Sequence, residues 1–100
     1  MAYKVVFSEG AWQDVDEIYD WIEERADAET ALRYLTRIHD FCFSLRDFPN
    51  RGTPRDDLAA GVRTVVFEDR AMIAYMVAGK LVTIVRILAR GRDVSRAFSG

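Results

Sequence analysis

A chain of 100 residues, 50% apolar and 30% charged, fits one domain and has neither the low hydrophobicity of a disordered segment nor room for a second domain. Its longest apolar run is far below the roughly 18 residues a membrane span needs, and no signal-peptide pattern opens it, so a cytoplasmic protein without membrane partners is expected. A single cysteine, Cys42, and a single histidine, His39, exclude an internal disulfide, a thiolate metal cluster and a multi-histidine metal site, and nothing calls for a cofactor.

Net charge is only -2, yet residues 1–29 carry nine acids against Lys4 and Arg25, while residues 80–100 carry Lys80, Arg86, Arg90, Arg92 and Arg96 against Asp93. One end of the molecule should therefore be basic and able to steer an acidic partner, whether protein or phosphate backbone.

In chain order, Tyr3 to Phe7 alternates like a short strand, and Ser8 can cap the helix that follows. Ala11, Val15, Ile18 and Ile22 fall on one helical stripe edged by Trp12, Tyr19 and Trp21, with Asp16, Glu17, Asp20, Glu23 and Glu24 behind it as a solvated face. Asp27 reads as the N-cap of a second helix running to about Asp47, with the stripe Ala31, Leu35, Ile38, Cys42 and Leu45 widened by Tyr34 and Phe41. Cys42 within that stripe is a buried, inert thiol. His39, beside Leu32 and Phe43 on a flank, reads as a packed edge residue rather than a catalyst.

The stretch PNRGTPRDDLAAG must break the helix and has no glycine pattern able to cradle phosphate. Gly61 opens a strand ending near Glu68, Asp69 and Arg70 turn it, AMIAYMVA and LVTIVRILA form the next two strands, and Ala78 to Lys80 is the tight turn between them. The expected fold is α+β, in the order β-α-α-β-β-β, with an antiparallel sheet and a helical hairpin packed on one face.

Alternation places Ile73, Tyr75 and Val77 on one face of their strand and Met72, Ala74 and Met76 on the other, both apolar. Two helices can cover only one face of such a sheet, so the second should be an interaction surface unless the C-terminal Val94 to Phe98 folds back over it.

The passage YKVVFS before an acidic helix, then FPNRGTPRDDLAAGVR, MIAYMV and VTIVRILARGRD, resembles the RelE/ParE superfamily of toxins from type II toxin-antitoxin systems. Within this the ParE-like branch, that of plasmid stabilisation proteins, is the better match. The likeness runs from Tyr3 to Asp93 and is carried by Gly52, Arg55, Leu58, Gly61 and Arg63, with Arg86 to Leu88 and Arg92 to Asp93. It implies a ParD-like antitoxin that wraps the toxin in a hetero-oligomer, and either of two activities: binding and inhibition of DNA gyrase, or ribosome-dependent cleavage of mRNA.

Cleavage through the 2′-hydroxyl needs a proton acceptor, a donor for the leaving oxygen and cations for phosphate. The cations exist, but arginine is a poor acid or base. After Tyr75 there is no tyrosine, histidine or cysteine, after Lys80 no lysine, and Ala89 stands where many relatives carry histidine. Tyr75 could serve only if it faced the open side beside Arg86; otherwise it is a core aromatic. The expectation is therefore a gyrase inhibitor without catalytic residues or a small-molecule substrate. Its target-binding residues would be Arg63, Arg86, Arg90, Arg92 and Arg96, and its antitoxin-binding residues Leu58, Val62, Met72, Ala74 and Met76.

Overall fold

The computed structural model describes residues 3–89 and 94–98. The elements are β1 (Lys4–Phe7), α1 (Glu9–Arg25), α2 (Ala28–Ser44), β2 (Thr53–Pro54), β3 (Val62–Phe67), β4 (Ala71–Ala78), β5 (Leu81–Ala89) and the short α3 (Val94–Ala97). The expected order of strand, two helices and a three-strand meander is present, with two additions. The two-residue β2 joins the sheet beside β3, and β1 pairs in parallel with β5, giving a mixed five-stranded order β1-β5-β4-β3-β2. A strand from the start of the chain lying beside the last one leaves no local mark in sequence, because its partners Val82 and Thr83 are more than seventy positions away.

Local chemistry sets the helix boundaries. Ser8 Oγ accepts from Ala11 N–H at 3.1 Å, capping α1, and donates to the Val85 carbonyl at 2.8 Å, which fixes the helix start against β5. Asp27 caps α2 by accepting from Thr30 N–H at 2.7 Å, and this bond holds its carboxyl below the usual range. The second helix ends at Ser44, earlier than Asp47, because Arg46 and Asp47 bond back three residues to Phe43 and Ser44 before Pro49 forbids continuation.

The β3–β4 turn places Glu68 and Asp69 at φ of 50° and 55°, the paired left-handed geometry that suits a two-residue hairpin turn. Neither is glycine, so the turn is strained. It is held by Glu68 receiving both Nε and Nη2 of Arg37 at 2.9 and 3.1 Å, which also lowers the Glu68 carboxyl below its usual range.

The core lies between the helical hairpin and one sheet face, where Ile38, Cys42, Leu45, Ile73, Tyr75, Ile84 and Ile87 are each at most 1% exposed. Strict alternation would put Ile84 and Ile87 on opposite faces. A bulge resolves this: Ala74 pairs with Arg86 and Tyr75 with Ile84, so Val85 is the extra residue and both isoleucines point inward. Burial pushes the Cys42 thiol up to about 12. Iodoacetamide should therefore leave the folded protein unlabelled over hours near neutral pH and react only as the chain unfolds, measured by intact mass.

The other sheet face is not left open along its length, which corrects the expectation of a continuous uncovered apolar surface. Val62 and Ala74 are each 1% exposed and Leu88 2%, so they are covered within the single chain, while Met76 is 37%, Leu81 38% and Val66 57% exposed. Leu58 and Met72 are half-buried. The C-terminal fold-back is seen where the Ala97 carbonyl of α3 accepts from Arg86 Nη1 at 3.2 Å.

Candidate functional site

Two of the expected target-binding cations are internal ties. Asp14 of α1 is 4% exposed and lies where β1 has ended and β5 continues. Its Oδ2 and Oδ1 receive Arg86 Nε and Nη2 at 2.8 and 2.9 Å, and Oδ2 also accepts the Ile87 backbone N–H at 2.9 Å. The carboxylate thus replaces the neighbouring strand that β5 lacks there and neutralises the guanidinium, raising its pKa further. Arg86 in turn holds α3 through the Ala97 carbonyl. The sequence does not single out Asp14, which sits between the apolar stripe and the acidic back; only its burial against the half-buried Arg86 distinguishes it from the neighbouring acids.

Arg63 is spent differently. Its Nη1 donates to the Asn50 and Gly52 carbonyls at 3.2 and 2.7 Å, pinning the loop before β2. Arg63 pairs with Tyr75 and Arg86 with Ala74, adjacent positions of β4 that face opposite sides of the sheet, so the two arginines do not converge. Arg96 is exposed, and Arg90 and Arg92 lie outside the described residues.

Tyr75 is the core aromatic. It is 0% exposed, its hydroxyl accepts Gly52 N–H at 2.8 Å and donates to the Pro49 carbonyl at 2.9 Å, so that oxygen is fully used in holding the loop. His39 is an edge residue that remains exposed, stacked on Phe7 with centroids 5.8 Å apart and edge-on to Phe43 at 4.7 Å. Among the described residues no group of three or more His, Cys, Asp or Glu could hold a metal, and no helix is long and apolar enough to cross a membrane.

A groove of about 920 Å³ lies between α1, α2 and the end of β5. Ile18, Trp21 and Ile22 form one wall, Tyr34 the other, and Ile87 and Ala89 the floor. Arg33 and Arg37 stand on the α2 rim, Arg70 on the β3–β4 turn beside it, and Asp14 and Glu17 on the α1 rim. Trp21 is 58% exposed with Arg25 stacked 4.2 Å from its ring. Ile18 and Ile22 pack against the core yet stay half-buried, whereas Ala11 at the start of the same stripe is fully covered. Periodicity reports which residues share a face, not whether the face is covered.

The sequence matches the family model described as the ParE toxin of the type II toxin-antitoxin system parDE over residues 5–94. The chain belongs to the ParE toxin family. No curated protein matches it. A chain of the chromosomal ParDE toxin-antitoxin system from P. aeruginosa is 28% identical, with a TM-score of 0.77 over 88% of this chain and 96% of that one. The fold is also that of a chain in the RelBE2 toxin-antitoxin complex from Mycobacterium tuberculosis (22% identity, TM-score 0.70, 90% of this chain and 100% of that one). The E. coli DinJ-YafQ complex holds a more distant chain of the same fold, at 17% identity and TM-score 0.56, with all of both chains covered. This ParE toxin therefore carries its family's fold with an arginine tie at each end of the sheet and a two-walled groove on its helical side.

Proposed function

We propose that this ParE toxin acts by binding and inhibiting DNA gyrase rather than by cutting ribosome-bound mRNA, and that a ParD-like antitoxin neutralises it. The observation that carries the reading is Tyr75. The one tyrosine that could accept a proton in RNA cleavage is fully buried with both hydrogen-bonding roles of its hydroxyl taken, and the arginines on the two strands beside it, Arg63 and Arg86, are committed to Gly52 and Asp14. A surface of this composition binds more readily than it transfers protons.

The antitoxin is best accommodated along the groove of α1 and α2, where an amphipathic helix could lay its apolar face on Ile18, Trp21 and Ile22 and its acids beside Arg33 and Arg70. Met72, Met76 and Leu58 offer a second contact, whereas Val62 and Ala74 present almost no area to a partner. The P. aeruginosa relative belongs to a ParDE system, which supports a partner of this kind.

Expression of the toxin alone should halt bacterial growth, and co-expression with a neighbouring ParD-like product should restore growth and yield a soluble complex. Ribosome-bound messages recovered from the arrested cells should be intact when mapped at their 5′ ends. Codon-phased cuts appearing within minutes of induction would reverse the choice between the two activities.

A further inference from the structure

The loop between α2 and β2 is held from beneath far more firmly than a connection needs. Tyr75 bridges Pro49 and Gly52, Arg63 bridges Asn50 and Gly52, and Arg51 N–H closes a turn on the Phe48 carbonyl at 3.2 Å. The Arg51 guanidinium bonds Ser44 Oγ at 3.1 Å and lies 4.8 Å from the Phe41 ring centre.

On this fixed backbone stands Phe48, 67% exposed, the most exposed large apolar side chain among the described residues. Beside it is an open depression of about 470 Å³ lined by Asp47, Pro49, Asn50 and Arg51. A lone exposed apolar residue needs no explanation. An aromatic ring held out on a preorganised loop between two arginines, Arg46 and Arg51, has the composition of an interface anchor, since the ordering cost of binding is already met. The two cations against Asp47 favour an acidic partner surface.

We propose that residues 46–51 are the surface by which this toxin engages its protein target. Phe48 enters an apolar pocket of the target, and Arg46 and Arg51 meet carboxylates at the rim of that pocket. The assignment rests on the reading that the toxin works by binding a protein. It separates target from antitoxin, because the groove's rim at Arg37 is roughly 10 Å along α2 from Ser44, where the loop begins.

The test uses full-length toxin carrying Phe48→Ser or Arg46→Glu, both exposed positions; the Arg46 guanidinium lies 5.8 Å from the Phe43 ring centre, so Phe48→Ser is the primary variant. Both variants should keep the parent's melting temperature and co-purify with the antitoxin as the parent does. Each should raise the toxin concentration needed to inhibit purified gyrase at least tenfold and restore colony counts on expression by at least tenfold. Growth arrest undiminished in both variants overturns the proposal, as does parallel loss of antitoxin binding. If the parent leaves gyrase untouched while Phe48→Ser still restores growth, gyrase falls as the target and the loop stands as the surface for another protein. Tight binding of the parent to bare DNA, lost in Phe48→Ser, overturns the choice of a protein partner.

Discussion

Replacing Asp14 with alanine should lower the melting temperature more than any other single change to a charged side chain among the described residues. The substitution removes three hydrogen bonds at once, leaving the Arg86 guanidinium and the Ile87 N–H without their acceptor. Breaking one side of a buried pair costs about 3 kcal/mol, and at about 4–8 °C per kcal/mol for a domain of this size the fall is roughly 12–24 °C. Arg86 is about 25% exposed at its side chain and can turn partly to water, which places the cost at the lower end of that class. Asp14→Asn keeps an acceptor for Ile87 and should lose about half as much. Circular dichroism melts decide it: a fall within about 2 °C for Asp14→Ala would mean the pair is a surface feature. The change should also release α3, read as faster proteolysis near Ala97, because Arg86 holds that helix through its carbonyl.

Gly52→Ala should be the most damaging single-methyl change in the loop. A Cβ there would lie 2.8 Å from the Tyr75 hydroxyl oxygen, 2.9 Å from the ring carbon beside it and 2.9 Å from the Thr64 carbonyl. Neither the backbone of β3 nor a ring with 0% exposure can move away cheaply. Overpacking costs about 1–3 kcal/mol, and displacing the Tyr75 hydroxyl from Gly52 and Pro49 adds about 1–3 kcal/mol for buried polar groups left unpaired. Urea unfolding should show a midpoint reduced by roughly 1–3 M at an m-value of about 2 kcal/mol/M. An unchanged midpoint would mean the loop is free to lift from the sheet, contrary to its bonds with Tyr75 and Arg63. Tyr75→Phe, which relieves no clash and removes only the hydroxyl, should fall between Gly52→Ala and the parent.

Much of the fold was legible because its signals are local. Ser8 and Asp27 announce their helices by capping, the stripe of Ala31, Ile38, Cys42 and Leu45 repeats at helical spacing, and Gly79 marks a turn that needs φ of 59°. What escaped depends on distant contacts. The parallel pairing of β1 with β5 and the bulge at Val85 are decided by tertiary packing, and without the bulge Arg86 and Ile87 exchange faces on paper.

Residue type and charge do not by themselves give a side chain's employment. Arg63 and Arg86 stand out in the sequence as cations for a target, yet charge alone does not tell a binding arginine from one that ties a loop or pairs with a buried acid. Ala74 and Val62 were placed on an open face from alternation, which gives direction but not coverage. The groove went unseen because Ile18 and Ile22 look like any core stripe until α2 and the sheet are placed beside them.

The claim that the toxin acts by binding gyrase is met most directly by supercoiling of relaxed plasmid with purified gyrase and increasing toxin, with and without antitoxin. The account predicts loss of supercoiling near stoichiometric toxin, accumulation of cleaved plasmid and full recovery on adding antitoxin. Undiminished supercoiling by a toxin that still arrests growth, together with cut message in a ribosome assay using the same preparation, would contradict it.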